Sequence, residues 1–274
     1  MAADMNPDSD TGAQLRSLYL PDGGVRSVFS SKVADYVASR PDYPSALFDT
    51  LAVICGLGAG ATVADVGAGT GLLTRGLLQR GYRVIAVEPN REMRAAADHL
   101  LNGIEGYRSL DGSAEAMPLE SDSIDLVTVA LAFHWFDVER ARAEFLRILT
   151  PQGQVAIIWN DRVFEDPLHV AFDELADKFG GAKRAAIVAH EKDRADVSRF
   201  LGNTQLQEFC WPHAHRLGEN EFLALVFSRS YIPERGTQKG QDVADRAREI
   251  FDRFATNGAV EIRYQTIAIV GRPR

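Results

Sequence analysis

Cysteine is nearly absent from this chain, with two in 274 residues. Cys55 and Cys210 lie far apart, each inside an apolar run, which argues against a disulfide framework or a cysteine metal site and for buried free thiols in a reducing compartment. Positive charge is also scarce: 30 lysines and arginines stand against 38 aspartates and glutamates, a net charge of −8. Such a surface repels a phosphate backbone unless a basic patch intervenes. No such patch is visible, since Arg246 with Arg248 and Lys183 with Arg184 read as solvated faces. No apolar run approaches the roughly 20 residues that cross a bilayer. The first ten residues are polar and acidic, where a secretory leader would be basic and then apolar, so the expected location is cytoplasmic. Neither an internal repeat nor a low-complexity linker interrupts the chain.

What is present is an alternation of strand and helix signals. Residues 1–24, rich in Asp, Ser, Gly and Pro, read as a flexible tail that can order over a ligand, with folded structure starting near Val25. Helical spacing of Phe29, Val33, Tyr36 and Val37 ends at Pro41, and a second helix follows, capped by Ser45. Thr62–Val66 is a β-branched run, Gly67–Gly71 a glycine turn, Leu72–Arg80 a helix and Arg83–Glu88 a second strand, which together make a βαβ unit. A helix at Arg91–Leu101, strands at Gly106–Leu110 and Ser123–Leu131, a helix at Val138–Leu149 N-capped by Asp137, and a strand at Gln154–Trp159 complete an α/β core. Beyond Asn160 the pattern loosens. Helices are expected near Pro167–Phe179, Ala186–Leu201, Glu221–Phe227 and Asp242–Ala255, with strands at Leu206–His215 and Glu261–Val270. One sheet with helical insertions accounts for this better than two independent domains.

The glycine turn carries the chemistry. Gly67, Gly69 and Gly71 alternate between a strand and a helix, where side chains would block a ligand that backbone N–H groups need to approach. Glu88, ending the second strand, is placed to accept hydrogen bonds from both hydroxyls of a ribose. Two features separate the possible adenosine cofactors. A dinucleotide turn needs a small residue where this chain has Leu72, and Asp65, two residues before the first glycine, repels a pyrophosphate while attracting an ammonium group. Adenosine joined to an amino acid is the better reading.

These residues resemble the class I methyltransferases that use S-adenosylmethionine, whose first motif is an acid followed by G-x-G-x-G and whose second is an acid ending strand two. Asp111-Gly-Ser-Ala-Glu-Ala-Met-Pro118 resembles the segment that holds the adenine, Ser113 standing where Asp is common. The stretch Leu131–Asp137, the Tyr36–Pro44 segment and Trp159-Asn160 resemble the trans-aconitate methyltransferase-like branch. The resemblance covers nearly the whole chain after Val25. It implies a Rossmann-like α/β fold: a mostly parallel seven-stranded sheet with an antiparallel last strand, helices on both faces and a helical cap. It further implies a single domain over residues 25–274, with a cofactor core at 25–160 and cap insertions at 161–203 and 216–258. The implied cofactor set is Tyr36, Arg40, Asp65, Gly67, Ala68, Gly69, Gly71, Glu88, Pro89, Ser113, Ala114, Glu115 and Ala130, with Arg40 pairing the methionine carboxylate and S-adenosylhomocysteine as product.

Methyl transfer from a sulfonium is an in-line displacement, so alignment and exclusion of water supply most of the rate. A base is needed only for an acceptor that must lose a proton. His134, just past strand four, is the candidate base; its rival role is structural, bonded to a backbone carbonyl. Trp135, Asn160, Arg162, Arg229 and Tyr231 are the candidate acceptor-binding residues, Arg229 foremost if the acceptor is a carboxylate, as the branch resemblance suggests. His213 and His215 alternate on a strand without a carboxylate or cysteine at ligand spacing, so no metal is expected. The expected partner is a small-molecule methyl acceptor, with neither nucleic acid nor membrane. Alternatives are a non-methylating S-adenosylmethionine-binding protein and an NAD-dependent oxidoreductase, the latter disfavoured by Leu72 and Asp65. A nucleic-acid methyltransferase is disfavoured by net acidity and by the lack of an Asn-Pro-Pro-Tyr-type motif.

Overall fold

The structure is a computed structural model that describes residues 11–24, 26–163, 165–192, 195–202 and 206–274. Seven strands form one sheet: β1 (Thr62–Val66), β2 (Arg83–Val87), β3 (Tyr107–Leu110), β4 (Ile124–Ala130), β5 (Leu149–Arg162), β6 (Gln207–Leu217) and β7 (Val260–Gly271). Their order is β3-β2-β1-β4-β5-β7-β6. The first five are parallel, and β7 slots between β5 and β6 antiparallel to both. This is the Rossmann-like arrangement with an antiparallel last strand that the motif order implies.

The continuous apolar runs of β1 and β4 are explained by burial on both faces. Val63, Leu126, Ala156 and Ile158 pack with α3 (Ser45–Ile54) and α4 (Leu72–Leu78) through Leu47, Leu51, Leu73 and Leu77. Their neighbours Ala64, Val127, Val155 and Ile157 face the other way, toward Phe145 and Ile148 of α6 (Val138–Ile148). The remaining helices are α1 (Thr11–Tyr19), α2 (Val33–Ser39), α5 (Arg91–Leu101), α7 (Pro167–Lys192, broken at Gly181, whose φ is +53°), α8 (Ala195–Leu201), α9 (Glu219–Phe227) and α10 (Gln238–Phe254). Along α10, Val243, Ala247, Ile250 and Phe251 make the buried stripe, and Thr237 Oγ1 accepts from Gly240 N at 3.0 Å to cap it.

Three expectations change. Within residues 1–24, Thr11–Tyr19 is not a loose tail but α1: Leu15 and Tyr19 are fully buried, the Tyr19 hydroxyl bonds Ser230 Oγ at 2.9 Å, and Lys183 pairs with Asp22. A nine-residue helix carries too few periods to announce itself in sequence, and its stability comes from docking. Residues 1–10 and Val25 lie outside the described set. Ser45 is not the cap of α3 but its first residue, with Pro44 ahead of it. Finally, β5 runs past the expected Trp159, so that Asn160 and Arg162 pair with Thr266 and Tyr264 of β7, and Arg162 belongs to the sheet rather than to an inserted cap.

Candidate active site

Parallel strands leave a crevice beyond their carboxyl ends where the connections diverge to opposite sides, and here β1, β2 and β4 open onto a cavity of about 420 Å³. Its floor is the glycine turn. Gly67 N donates to Val87 O at 2.8 Å, and a Cβ on Gly67 would lie 2.5 Å from the Ala132 side chain, at a φ of +72° that side chains avoid. Gly71, with φ +82°, points away from the cavity; a Cβ there would strike Leu101 of α5 at 2.6 Å. Of the glycines, Gly67 and Gly69 line the cavity, while Gly71 fits α4 against α5.

Glu88 closes β2 and fixes the turn. Its Oε2 accepts from Gly69 N and its Oε1 from Asn90 N, both at 2.8 Å. A carboxylate has about four lone-pair sites, so two remain for a ligand's hydroxyls. Burial raises its pKa, opposed by the Asn90 and Gly69 N–H groups and by Arg94. Asn90 then caps α5, accepting from Met93 N at 2.9 Å, and donates to Arg26 O at 2.7 Å. After β3, Ser113 and Ala116 exchange backbone bonds, and this turn presents Ser113, Ala114 and Glu115 to the cavity. Glu115 Oε1 accepts from Asp137 N at 2.9 Å, tying that turn to the start of α6. Leu131, at the end of β4, lines the cavity with φ +56°, a backbone state rare for a branched residue and common at ligand sites.

Asp65, expected to attract the ammonium group directly or through water, lies beneath the turn. It is 1% exposed, does not line the cavity, and accepts from Thr74 Oγ1 at 2.6 Å and Thr128 Oγ1 at 3.0 Å. Burial pushes its pKa up to about 6 against those hydroxyls. It therefore holds α4 and β4 together beneath the turn. Among the other expected cofactor residues, Tyr36, Pro89 and Ala130 line the cavity, whereas Ala68 and Arg40 do not.

Arginine 40 leads to a second place. Its guanidinium lies 4.6 Å over the Tyr36 ring, its Nη2 donates to Ser228 O at 3.3 Å, and its buried Nε has no hydrogen-bond partner among the described residues. Burial and the nearby Arg229 pull its pKa down to about 10. Arg162 and Arg229 both lie over Phe172, at 5.2 and 5.6 Å, and line a small pocket with His169 and Tyr264. Asn160 stands nearby on β5, its Oδ1 accepting from Thr266 Oγ1 at 2.7 Å. The structure thus unites Arg162 and Arg229. It leaves Tyr231 apart, 5.4 Å beneath Arg184, and puts Trp135 in the first cavity. His134 sits in a 3-10 turn, its ring 4.8 Å from that of Trp135, outside the cavity wall.

Sequence reasoning did not single out Arg16, Arg26, Met93 and Arg140, which line the cavity, or His169 and Tyr264. Arg16, donating to Phe136 O, carried no motif. Tyr264 sits on β7 among residues whose period marks only a strand.

The methyltransferase domain family matches residues 64–157, from β1 into β5. An uncharacterized methyltransferase of Mycobacterium tuberculosis is 32% identical over 244 residues, 88% of this chain and 93% of its own. An uncharacterized methyltransferase-like protein of Schizosaccharomyces pombe is 30% identical, again over 88% and 93%. The chain belongs to the methyltransferase family. It is an S-adenosylmethionine-dependent enzyme. A candidate type II methyltransferase from Anaeromyxobacter dehalogenans shares the fold, with a TM-score of 0.56 at 23% identity over 86% of this chain and 99% of that one. The residues of this methyltransferase fit the cofactor: the cavity has room for an adenosine-bearing ligand, a bare turn beneath it, and a carboxylate with free lone pairs. No helix among the described residues is long and apolar enough to cross a membrane.

Proposed function

We propose that this methyltransferase esterifies a carboxylate of a small acid. The observation that carries this reading is the group of guanidiniums of Arg40, Arg162 and Arg229 gathered beyond Tyr36, which itself lines the cofactor cavity, with Asp173 paired to Arg162 at 2.7 Å. Like charges packed in a low-dielectric site repel, and Arg40 feels Arg229 in this way. Such a group is stabilised when an anion enters it, because guanidiniums bind carboxylates through strong charge-assisted bonds.

S-adenosylmethionine supplies an electrophilic methyl group when bound. In this reading Glu88 receives the ribose hydroxyls, the turn at Ser113–Glu115 receives the adenine, and Gly67 and Gly69 let the amino-acid portion lie against bare backbone. Asp65 acts from below, by holding the turn. Trp135, Phe29 and Phe136 exclude water, the Phe29 and Trp135 rings meeting edge to face at 6.0 Å. Arg229 and Arg162 orient the acid. A carboxylate is ionised at neutral pH, so it needs no base, and His134 acts as support for Trp135 rather than as a proton acceptor. On this reading α7 to α10, the helices within the expected insertions at 161–203 and 216–258, make a cap over the acceptor.

The test is a screen of small acids, phenols and amines with labelled cofactor, read by product mass. Methyl esters among the products are the expected result. Methylated phenols or amines with no ester would overturn the carboxylate assignment while leaving the cofactor site intact.

A further inference from the structure

The small pocket beside the guanidiniums has a chemistry of its own. Its volume, about 10 Å³, is that of a single water molecule's place, so it takes one polar substituent and not a whole molecule. Two of its polar side chains are almost wholly buried, His169 at 2% and Tyr264 at 3% exposure. His169 Nε2 and the Tyr264 hydroxyl have no hydrogen-bond partner among the described residues. Buried polar atoms are rarely left so, and where they are, a ligand or water is the usual complement. His169 is hydrogen-bonded to the Arg263 backbone, and its pKa is pulled down to about 4, by burial first and then by Arg162. The ring is therefore neutral at physiological pH. With one ring nitrogen donating to a backbone carbonyl, Nε2 is the acceptor of the pair. Every other polar group aimed into the pocket can donate: Arg162, Arg229 and the Tyr264 hydroxyl.

We infer that this pocket is a specificity subsite for a hydroxyl on the acceptor, so that the acid methylated is a hydroxy acid. The hydroxyl donates to His169 Nε2 and accepts from Tyr264 or a guanidinium. A carboxylate oxygen in the same place has no proton to give and faces the lone pair of Nε2. An apolar substituent leaves both buried groups unpaired. This inference rests on the carboxylate reading for the class of acceptor but stands on separate atoms.

The experiment compares matched pairs of small acids with and without a hydroxyl, in the presence of S-adenosylhomocysteine for calorimetric binding and of labelled S-adenosylmethionine for turnover. Wild type is set beside His169→Phe, which keeps an aromatic ring without the acceptor, and Tyr264→Phe, which removes only the hydroxyl. Unchanged S-adenosylhomocysteine affinity and an unchanged circular dichroism spectrum check that each variant is folded. A buried hydrogen bond left unmade sets the expected preference of wild type for the hydroxylated member at about tenfold or more, falling to about unity in His169→Phe. The parent acid should bind that variant as it binds wild type. Binding preference without ester formation supports the subsite and sinks carboxylate methylation. Esters formed with no hydroxyl preference, or a preference His169→Phe leaves intact, overturn the subsite alone and mean the pocket holds ordered water only. If no acid binds or reacts, both are overturned.

Discussion

The cofactor half of this methyltransferase ties up its carboxylates within the protein, whereas the acceptor side leaves several buried donors without a partner among the described residues. Around the glycine turn, each carboxylate is engaged: Glu88 by Gly69 and Asn90, Asp65 by Thr74 and Thr128, Glu115 by Asp137. Beyond Tyr36, donors outnumber acceptors, and Arg40 Nε, Asn160 Nδ2 and the Tyr264 hydroxyl are buried without partners among the described residues. The first region is held in place by bonds within the protein. The second carries polar groups whose satisfaction depends on what binds.

The largest expected effect tests the prebuilt half. Glu88→Ala removes the acceptor for two backbone N–H groups and for the ribose hydroxyls, and at about 1.5–3 kcal/mol for each bond to a charged group S-adenosylhomocysteine affinity should drop at least a hundredfold by calorimetry. Retained affinity would break the comparison at its stronger end. Next, Arg229→Met keeps an aliphatic stem and deletes the guanidinium that lies over Phe172. It should raise the acceptor KM by about 10- to 100-fold, the worth of a charge-assisted bond, with cofactor affinity unchanged. A joint loss would show that the two regions are not separable.

A smaller effect lies in the pH dependence of Asp65. Its folded pKa is raised to about 6 from an ordinary 3.8. The folded state then binds the proton more tightly than the unfolded one, so this group favours folding below about pH 4 and its contribution declines as pH rises through 6. Asp65→Asn should gain melting temperature relative to wild type across that interval, measured by scanning calorimetry at pH 4.5 and 7.5. A constant difference at both pH values would mean that Asp65 titrates normally. The smallest effect belongs to His134→Ala, which should slow ester formation by less than about threefold, since a carboxylate acceptor needs no proton removed. A loss of a hundredfold would restore His134 as a base.

The same contrast explains what could be read from the residues alone. The βαβ unit, the turn and Glu88 are contiguous and obey local rules of strand, glycine and helix, so both the sheet and the cavity floor were legible. Leu131 at positive φ was not, because nothing local marks a leucine for a left-handed backbone. The second pocket draws Arg162 from β5, His169 and Phe172 from α7, Arg229 from beyond α9 and Tyr264 from β7, with Arg40, from the end of α2, near Arg229. His169, Phe172 and Tyr264 were visible only as isolated rings, and their meeting with the arginines depends on β7 entering between β5 and β6. Arg16 escaped notice because α1 owes its form to contacts made more than 100 residues away, such as that with Phe136.

Arg16 and Phe29 on one side and the glycine turn on the other leave a molecule in the cavity touching chain that arrives from opposite directions. Arg16 reaches the cavity wall from α1, a nine-residue helix anchored by the buried Leu15 and Tyr19. The shape of the cavity is thereby coupled to apolar contacts of residues that do not line it.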